Sequence, residues 1–319
     1  METIYQKKWA VITIAIFCSL LWGSAFPVLK ISYIELQMAP NDISAKLVFA
    51  GMRFLLAGLI VLVFLFFTNR KELFVFRNKF SVLLLLGLVQ TSVQYFFFYN
   101  GLAKVTGMQG AILSSSSTFF TVLIAHFFYK NDRFNWQKTL GLIAGFGGIM
   151  VANWGRELQL NFSLTGEGFM IIAGLAGAIG TIMAKELATG IHPFALTGWQ
   201  LTLGASVMLL VGLPQLEKNA MVFTPLGTGL LLYSSLLSAV AFMLWYQLLK
   251  YNKAGEISIY KFVIPVAGTF LSALFIPGET LNFFILGAIA LVALGIIIIN
   301  SPGKKEVSRT ETKYIQKNA

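Results

Sequence analysis

Charge is what this 319-residue chain lacks most. Only 12% of its residues are Asp, Glu, Lys or Arg, about half the ~25% of a soluble domain. Acidic residues are the scarcer sign, 13 against 24 basic ones, and a single cysteine, Cys18, stands among them. One cysteine excludes an intramolecular disulfide and a cysteine-based metal site. The two histidines, His126 and His192, are not a pair at metal-ligand spacing. No Gly-rich loop ends in Lys-Ser or Lys-Thr, so nothing predicts a nucleotide phosphate cradle. The sequence therefore points to no metal, no cofactor, no ATP-driven step and no cluster of acid and base that would make an enzyme. Disorder is excluded too, because disordered chains are polar and highly charged.

What remains is apolar. Hydrophobic residues make up 57% of the chain and mean hydropathy is +0.76, more than a water-soluble core of this size could absorb. A membrane-crossing helix needs about 20 mostly apolar residues. Ten such segments are predicted, at 9–30, 44–67, 81–102, 109–129, 138–154, 166–188, 194–214, 225–249, 257–277 and 280–300. They are not barrel strands, which would alternate over about ten residues; Leu83-Leu84-Leu85-Leu86 and Ile296-Ile297-Ile298-Ile299 do not alternate. The fold class predicted is all-α integral membrane. The first apolar run continues through Trp22 and Pro27 to Lys30, longer than a cleaved signal core, and reads as a permanent span.

The net charge of +11 suggests nucleic acid until the charges are placed. With the N-terminus inside, the inner segments hold Lys7, Lys8, Arg70, Lys71, Arg77, Lys79, Lys130, Arg133, Lys138, Lys185, Lys250, Lys253 and the tail residues Lys304, Lys305, Arg309, Lys313 and Lys317. The outer connections hold Lys104, Arg156 and Lys218. Lys and Arg concentrate in cytoplasmic loops, so both termini are expected inside, the partners are the lipid bilayer and a small molecule, and nucleic acid is not one. The basic tail could also touch anionic lipid.

The chain resembles itself at an offset of 147 residues: Leu56 with Leu203, Tyr99 with Tyr246, Ile112 with Ile259, Asn135 with Asn282, and the similar pairs Arg53 with Gln200 and Asp132 with Glu279. The organisation predicted is a short N-terminus (1–8), a five-helix repeat (9–154), a connecting loop (155–165), a second five-helix repeat (166–300) and a basic tail (301–319). Five spans are an odd number, so the second half enters from the opposite side. Inverted repeats of this kind are a recurring plan of secondary transporters.

Several short motifs then occur in a familiar order. Trp22-Gly23-Ser24 lies in the first span, Arg53-Phe54 in the second and Tyr99-Asn100-Gly101-Leu102-Ala103 at the end of the third. Pro265 lies in the ninth and Gly278-Glu279 follows it. In this the chain resembles the drug/metabolite transporter superfamily and, within it, the EamA family of ten-span carriers. It departs at Thr118, where a proline is usual, at Asn131-Asp132 in place of Gly-Glu, and at Gly177, opposite Trp22 in the repeat. The resemblance implies a permease for a metabolite such as an amino acid, an exporter, in the prokaryotic inner or plasma membrane. A channel or a non-transporting membrane scaffold is the alternative.

Arg53 is the sharpest candidate. It lies about 16 Å along its helix from Asp42, at 1.5 Å per residue, near the middle of a hydrocarbon core ~30 Å thick. A charge there costs at least ~2.5–3.5 kcal/mol, so it must face the interior, either to bind an anionic substrate group or to tie helices together. Lys261 is either a pathway residue or a side chain that snorkels to the cytoplasmic interface. Ser114 opens a hydroxyl run to Thr118 that either bends the helix, lines a cavity or packs helices. Trp22, Tyr95, Tyr99, Trp245 and Tyr246, beside Gln94 and Gln200, are cavity walls or, for Tyr99 and Tyr246, interfacial anchors. Gly23, Pro27 and Pro265 mark candidate helix breaks. Glycines at 141, 145 and 148 and at 174, 177 and 180 allow close helix contact within the chain or in a dimer. No acidic residue is placed at mid-membrane to relay protons, so a uniporter or a substrate exchanger is expected.

Overall fold

A computed structural model describes residues 3–105, 107–152, 162–277 and 283–301. Arg156, Gly278, Glu279, Asn282, most of the predicted connecting loop and nearly all of the basic tail lie outside the described residues. Among the described residues every regular element is helical. The α-helices are α1 (Lys8–Glu35), α2 (Ile43–Thr68), α3 (Val75–Gly87), α4 (Gln94–Lys104), α5 (Gly107–Ser114), α6 (Ser116–Phe128), α7 (Trp136–Ala152), α8 (Phe169–Gly190), α9 (Pro193–Gly212), α10 (Pro225–Tyr251), α11 (Ala254–Ser258), α12 (Val263–Phe275) and α13 (Phe284–Asn300). A π-helical stretch, Leu88–Val93, joins α3 to α4, and a 3-10 stretch, Ile259–Phe262, joins α11 to α12.

The starts of these helices follow from local chemistry. Asp42 caps α2 by accepting from the Ala45 amide at 2.8 Å, and Thr224 caps α10 by accepting from Gly227 at 3.0 Å. Pro193 and Pro225 occupy first-turn positions, where a missing N–H costs nothing. Lys46, close to the start of α2, is 1% exposed and turns its Nζ back onto the carbonyls of Ala39, Pro40 and Asp42 at 2.8–2.9 Å. Its charge thus rests on helix-entry carbonyls.

Among the described residues, eight stretches are long and apolar enough to cross a membrane: 8–35, 43–68, 77–104, 110–128, 164–190, 193–215, 225–251 and 254–275. Their outer faces show large apolar side chains such as Phe67, Leu210 and Leu274, which water would reject and lipid accepts. The predicted fifth and tenth spans correspond to α7 and α13, each 17 residues. That is the lower end of the length that spans a hydrocarbon core.

Packing follows small residues. The strongest pairings are α2 with α9, α7 with α13, α1 with α12 and α10, and α8 with α6 and α4. Gly87 and Gly204 let α3 and α9 meet backbone to backbone; a Cβ on Gly204 would stand 2.4 Å from the Gly87 carbonyl oxygen. The glycine row on α8 receives side chains of the first half: a Cβ on Gly174 would lie 2.1 Å from Ser116 Oγ, and one on Gly180 2.1 Å from Gln90 Oε1. The row on α7 does the same for Phe262 and Val292, at Gly145 and Gly148. Both rows therefore serve contacts inside the chain.

The predicted breaks fall differently. α1 runs unbroken through Pro27, and Gly23 serves a close crossing, its missing Cβ 2.7 Å from that of Ala267. Pro265 sits in the first turn of α12, just after the interruption at 259–262. The corresponding interruption in the first half, between α5 and α6, forms without proline: Ser114 donates to the Ala111 carbonyl at 2.7 Å and Ser115 back-bonds to Ile112. Hydroxyls bonding back to the preceding turn bend a helix.

Candidate functional site

A cavity of about 110 Å³ lies between the two halves of the chain. Its walls come from α1, α2, the π stretch with α4, and the α5–α6 junction on one side, and from α8, α10 and the 259–262 stretch with α12 on the other. Seven predicted site residues meet there: Trp22, Arg53, Gln94, Tyr95, Ser114, Trp245 and Lys261. Among the described residues no Asp or Glu lines it.

Arg53 is 2% exposed and held by α10 and α4. Nε donates to the Ser234 carbonyl at 3.1 Å and Ser238 Oγ at 3.0 Å, and Nη1 donates to Tyr99 Oη at 3.0 Å. Its guanidinium also stands 5.0 Å from the Phe54 ring centre. Both readings of this residue therefore have a geometric basis: it joins three helices, and it lines the cavity.

Lys261 does not snorkel. Its Nζ lies 4.9 Å from the Trp245 ring centre and 5.8 Å from that of Trp22, with Thr181 Oγ1 at 3.5 Å. The two indoles meet edge to face at 5.3 Å. Aromatic faces attract cations within about 6 Å, and here they draw the ammonium inward rather than toward the interface. Phe242 closes the same corner at 5.5 Å from Trp22.

Gln200 and Tyr99 stand outside the cavity lining. Gln200 is fully buried and accepts from Thr91 Oγ1 at 2.8 Å, between the π stretch and α9. Tyr99 is fully buried and reaches the cavity indirectly, through Arg53 and through its edge contacts with the lining rings of Tyr95 and Phe98. Tyr246, its repeat counterpart, is 1% exposed and does line the cavity. Neither tyrosine anchors at a lipid interface.

Sequence reasoning missed Gln90 and Thr181 as wall residues, whereas Ser117 and Thr118 of the hydroxyl run join Ser114 in the wall. Gln90 Nε2 donates to Gln94 Oε1 at 2.7 Å, and both lie at the π stretch. Such stretches often occur at functional sites. The signal was an amide pair four residues apart inside an apolar span. Several cavity groups lack protein partners: the indole Nε1 of Trp22 and of Trp245, Gln90 Oε1, Thr118 Oγ1 and Tyr246 Oη. A buried polar group left without a partner costs ~1–3 kcal/mol, so the site is primed for a ligand that supplies them.

Outside the cavity lining, a buried ion pair reaches from the first half to the second. Asp132 pairs with Lys138, both 1% exposed at the side chain, and its second oxygen accepts from the Gly255 amide at 2.8 Å. Lys185 Nζ donates to the carbonyls of Leu249 and Asn252 at 3.0 and 2.7 Å. No group of three metal-ligating side chains occurs among the described residues.

Known proteins share this architecture. A solved crystal structure superposes with a TM-score of 0.74 at 15% identity, over 92% of this chain and 97% of that one, which speaks for the fold alone. The Bacillus subtilis protein named Uncharacterized transporter YoaV is 25% identical over 284 residues, 88% of this chain and 93% of that one. A protein of Archaeoglobus fulgidus, also named an uncharacterized transporter, is 24% identical over 300 residues, 92% and 99% of the two chains. The sequence model of the EamA-like transporter family matches residues 9–154 and again 164–301. With both halves matched and its relatives named as transporters, this multi-pass membrane chain belongs to the EamA-like transporter family.

Proposed function

We propose that the chain is a secondary transporter of a small metabolite in the cell membrane, working by alternating access, with export as its direction. In this reading α7 and α13 complete ten spans, both termini face the cytoplasm, and residues 9–154 and 166–300 are two inverted five-helix repeats. Element ends that recur about 147 residues apart support it: α2 and α9, α6 and α12, and α7 and α13 start in nearly the same register. The partner exchange supports it as well. α1 packs on α10 and α12, while α8, in the matching place of the second half, packs on α4 and α6. Two similar halves in exchanged roles have inward-open and outward-open arrangements of nearly equal energy, which alternating access requires.

One observation carries the functional reading: a polar, aromatic-walled cavity lined from both halves, holding Arg53 and several unpartnered donors. Such a pocket between repeats is where a substrate would be exposed first to one side and then to the other. Substrate contacts are assigned to Trp22, Arg53, Gln94, Tyr95, Ser114, Trp245 and Lys261, with Tyr99 and Gln200 positioning their neighbours. The test is flux in proteoliposomes across a panel of labelled amino acids and related acids. Saturable uptake that is accelerated by unlabelled substrate on the far side is expected. Conductance that does not saturate would mean a channel, and no flux across the panel would remove the proposal.

A further inference from the structure

The cavity is electrostatically one-sided. Arg53 and Lys261 line it and no carboxylate does among the described residues. The two cations are held in unlike ways. Arg53 is fixed by three acceptors on α4 and α10. Lys261 has one contact at 3.5 Å, the far limit of a hydrogen bond, and otherwise faces two rings. An ammonium has three donors, so most of its capacity is unused.

The surrounding groups point the same way. Trp22 Nε1 and Trp245 Nε1, donors only, are buried without partners, as are the hydroxyls of Thr118 and Tyr246. Trp245, Thr118 and Tyr246 are each 1% exposed. The indoles can only donate and the hydroxyls can donate as well as accept, so all four suit an acceptor. Among the described wall residues the one unpartnered group that can only accept is the neutral Gln90 Oε1, which suits a ligand hydroxyl. An amino group on the ligand would meet two cations and no anion, with the indole faces already occupied by Lys261.

We infer that this site takes a small organic acid of net negative charge, a hydroxy acid in the best case, in preference to the zwitterionic amino acid of the same skeleton. Lys261 is the carboxylate anchor and Arg53 chiefly holds the wall. This rests on the transport reading and narrows its substrate class.

The experiment uses the purified full-length protein and matched probes: 3-phenyllactate, phenylalanine and phenethylamine, and the shorter lactate, alanine and ethylamine. Melting temperature is measured against probe concentration, and counterflow of the labelled probes is measured in proteoliposomes. The hydroxy acid should half-saturate at a concentration at least tenfold below its amino acid, and the amine should do nothing. Lys261→Gln should raise the half-saturating concentration of the acid tenfold or more, while Lys261→Arg should retain most of the binding. Should Lys261→Gln not fold, Trp245→Phe, which keeps a ring and removes Nε1, should weaken the acid selectively. Amino acids binding as tightly as the acids would overturn the inference while leaving transport standing. Acid binding untouched by Lys261→Gln would overturn the anchor. A stabilising acid that shows no counterflow would support the inference and refute transport.

Discussion

At the scale of single residues, Arg53 was legible because a guanidinium ten residues deep in an apolar helix has nowhere to go but inward. What the sequence could not give was its partners. Ser234 and Ser238 lie 181 and 185 residues away and look like ordinary small residues of a span. Arg53→Ala removes bonds to charged donors worth ~1.5–3 kcal/mol each before compensation. It is predicted to lower the melting temperature by several degrees and to abolish flux of anionic substrates. Arg53→Lys keeps the charge but cannot reproduce the planar fork that holds the wall, and should recover only part of the stability and of the flux. Wild-type flux in a folded Arg53→Ala protein would remove its role at the site. His192 offers a pH test outside the membrane. Burial lowers its pKa below the usual 6.5, against a smaller opposing effect of Glu72, and its neutral Nδ1 accepts from the Phe194 amide at the start of α9. The unfolded chain therefore takes up this proton more readily than the folded one. Stability from His192 is present above about pH 6.5 and is lost as pH falls below it. His192→Asn keeps a capping oxygen without the titration. Melting curves from pH 7.5 to 5 should fall more steeply for the wild type than for the variant, and parallel curves would refute this linkage.

At the scale of elements, eight of the ten expected spans were readable from apolar length, whereas the interruptions were not. Pro265 drew attention to α12, yet the break precedes it, because a proline in the first turn removes only an N–H that has no helical partner. The break between α5 and α6 arises from hydroxyl back-bonding, which looks the same in sequence as a packing run. Gln200 illustrates another limit. The repeat puts it opposite Arg53 in register, but the cavity is asymmetric and Gln200 faces Thr91 instead. The α8 glycines make a sharper prediction. Gly174 meets Ser116 Oγ and the Ser117 backbone amide, neither of which can withdraw far. Gly174→Val should cost ~1–3 kcal/mol by overpacking and reduce flux, since it presses on the α5–α6 junction beside Ser114. Gly229→Ala on α10, where a Cβ meets nothing within 4 Å, should instead be neutral or stabilising by up to ~1 kcal/mol. Thermal melts of the two variants decide it, and equal losses would mean that close helix approach at α8 is not what constrains position 174.

At the scale of the whole molecule, the proposed topology rests on the distribution of Lys and Arg, because moving a cation across the bilayer is costly while leaving it in the cytoplasm is not. The wall residues confer no such asymmetry, so topology must be tested on the connections. The one native thiol is already out of the way: Cys18 is fully buried in α1, its Sγ 3.6 Å from the Ala241 carbonyl oxygen. Cysteines can therefore be introduced one at a time without removing it. Asn78 and Lys253 are exposed at connections assigned to the cytoplasm, and Ser163 is exposed at the connection between the halves. A membrane-impermeant maleimide applied to intact cells should label Ser163→Cys and leave Asn78→Cys and Lys253→Cys unlabelled until the membrane is permeabilised. Asn78 follows two spans and Lys253 follows three spans of the second half, so their shared protection follows only if the first half contributes an odd number of spans. Labelling of Lys253→Cys alone in intact cells would make the halves parallel rather than inverted, and the two-sided cavity would then lack the exchange of roles that alternating access needs.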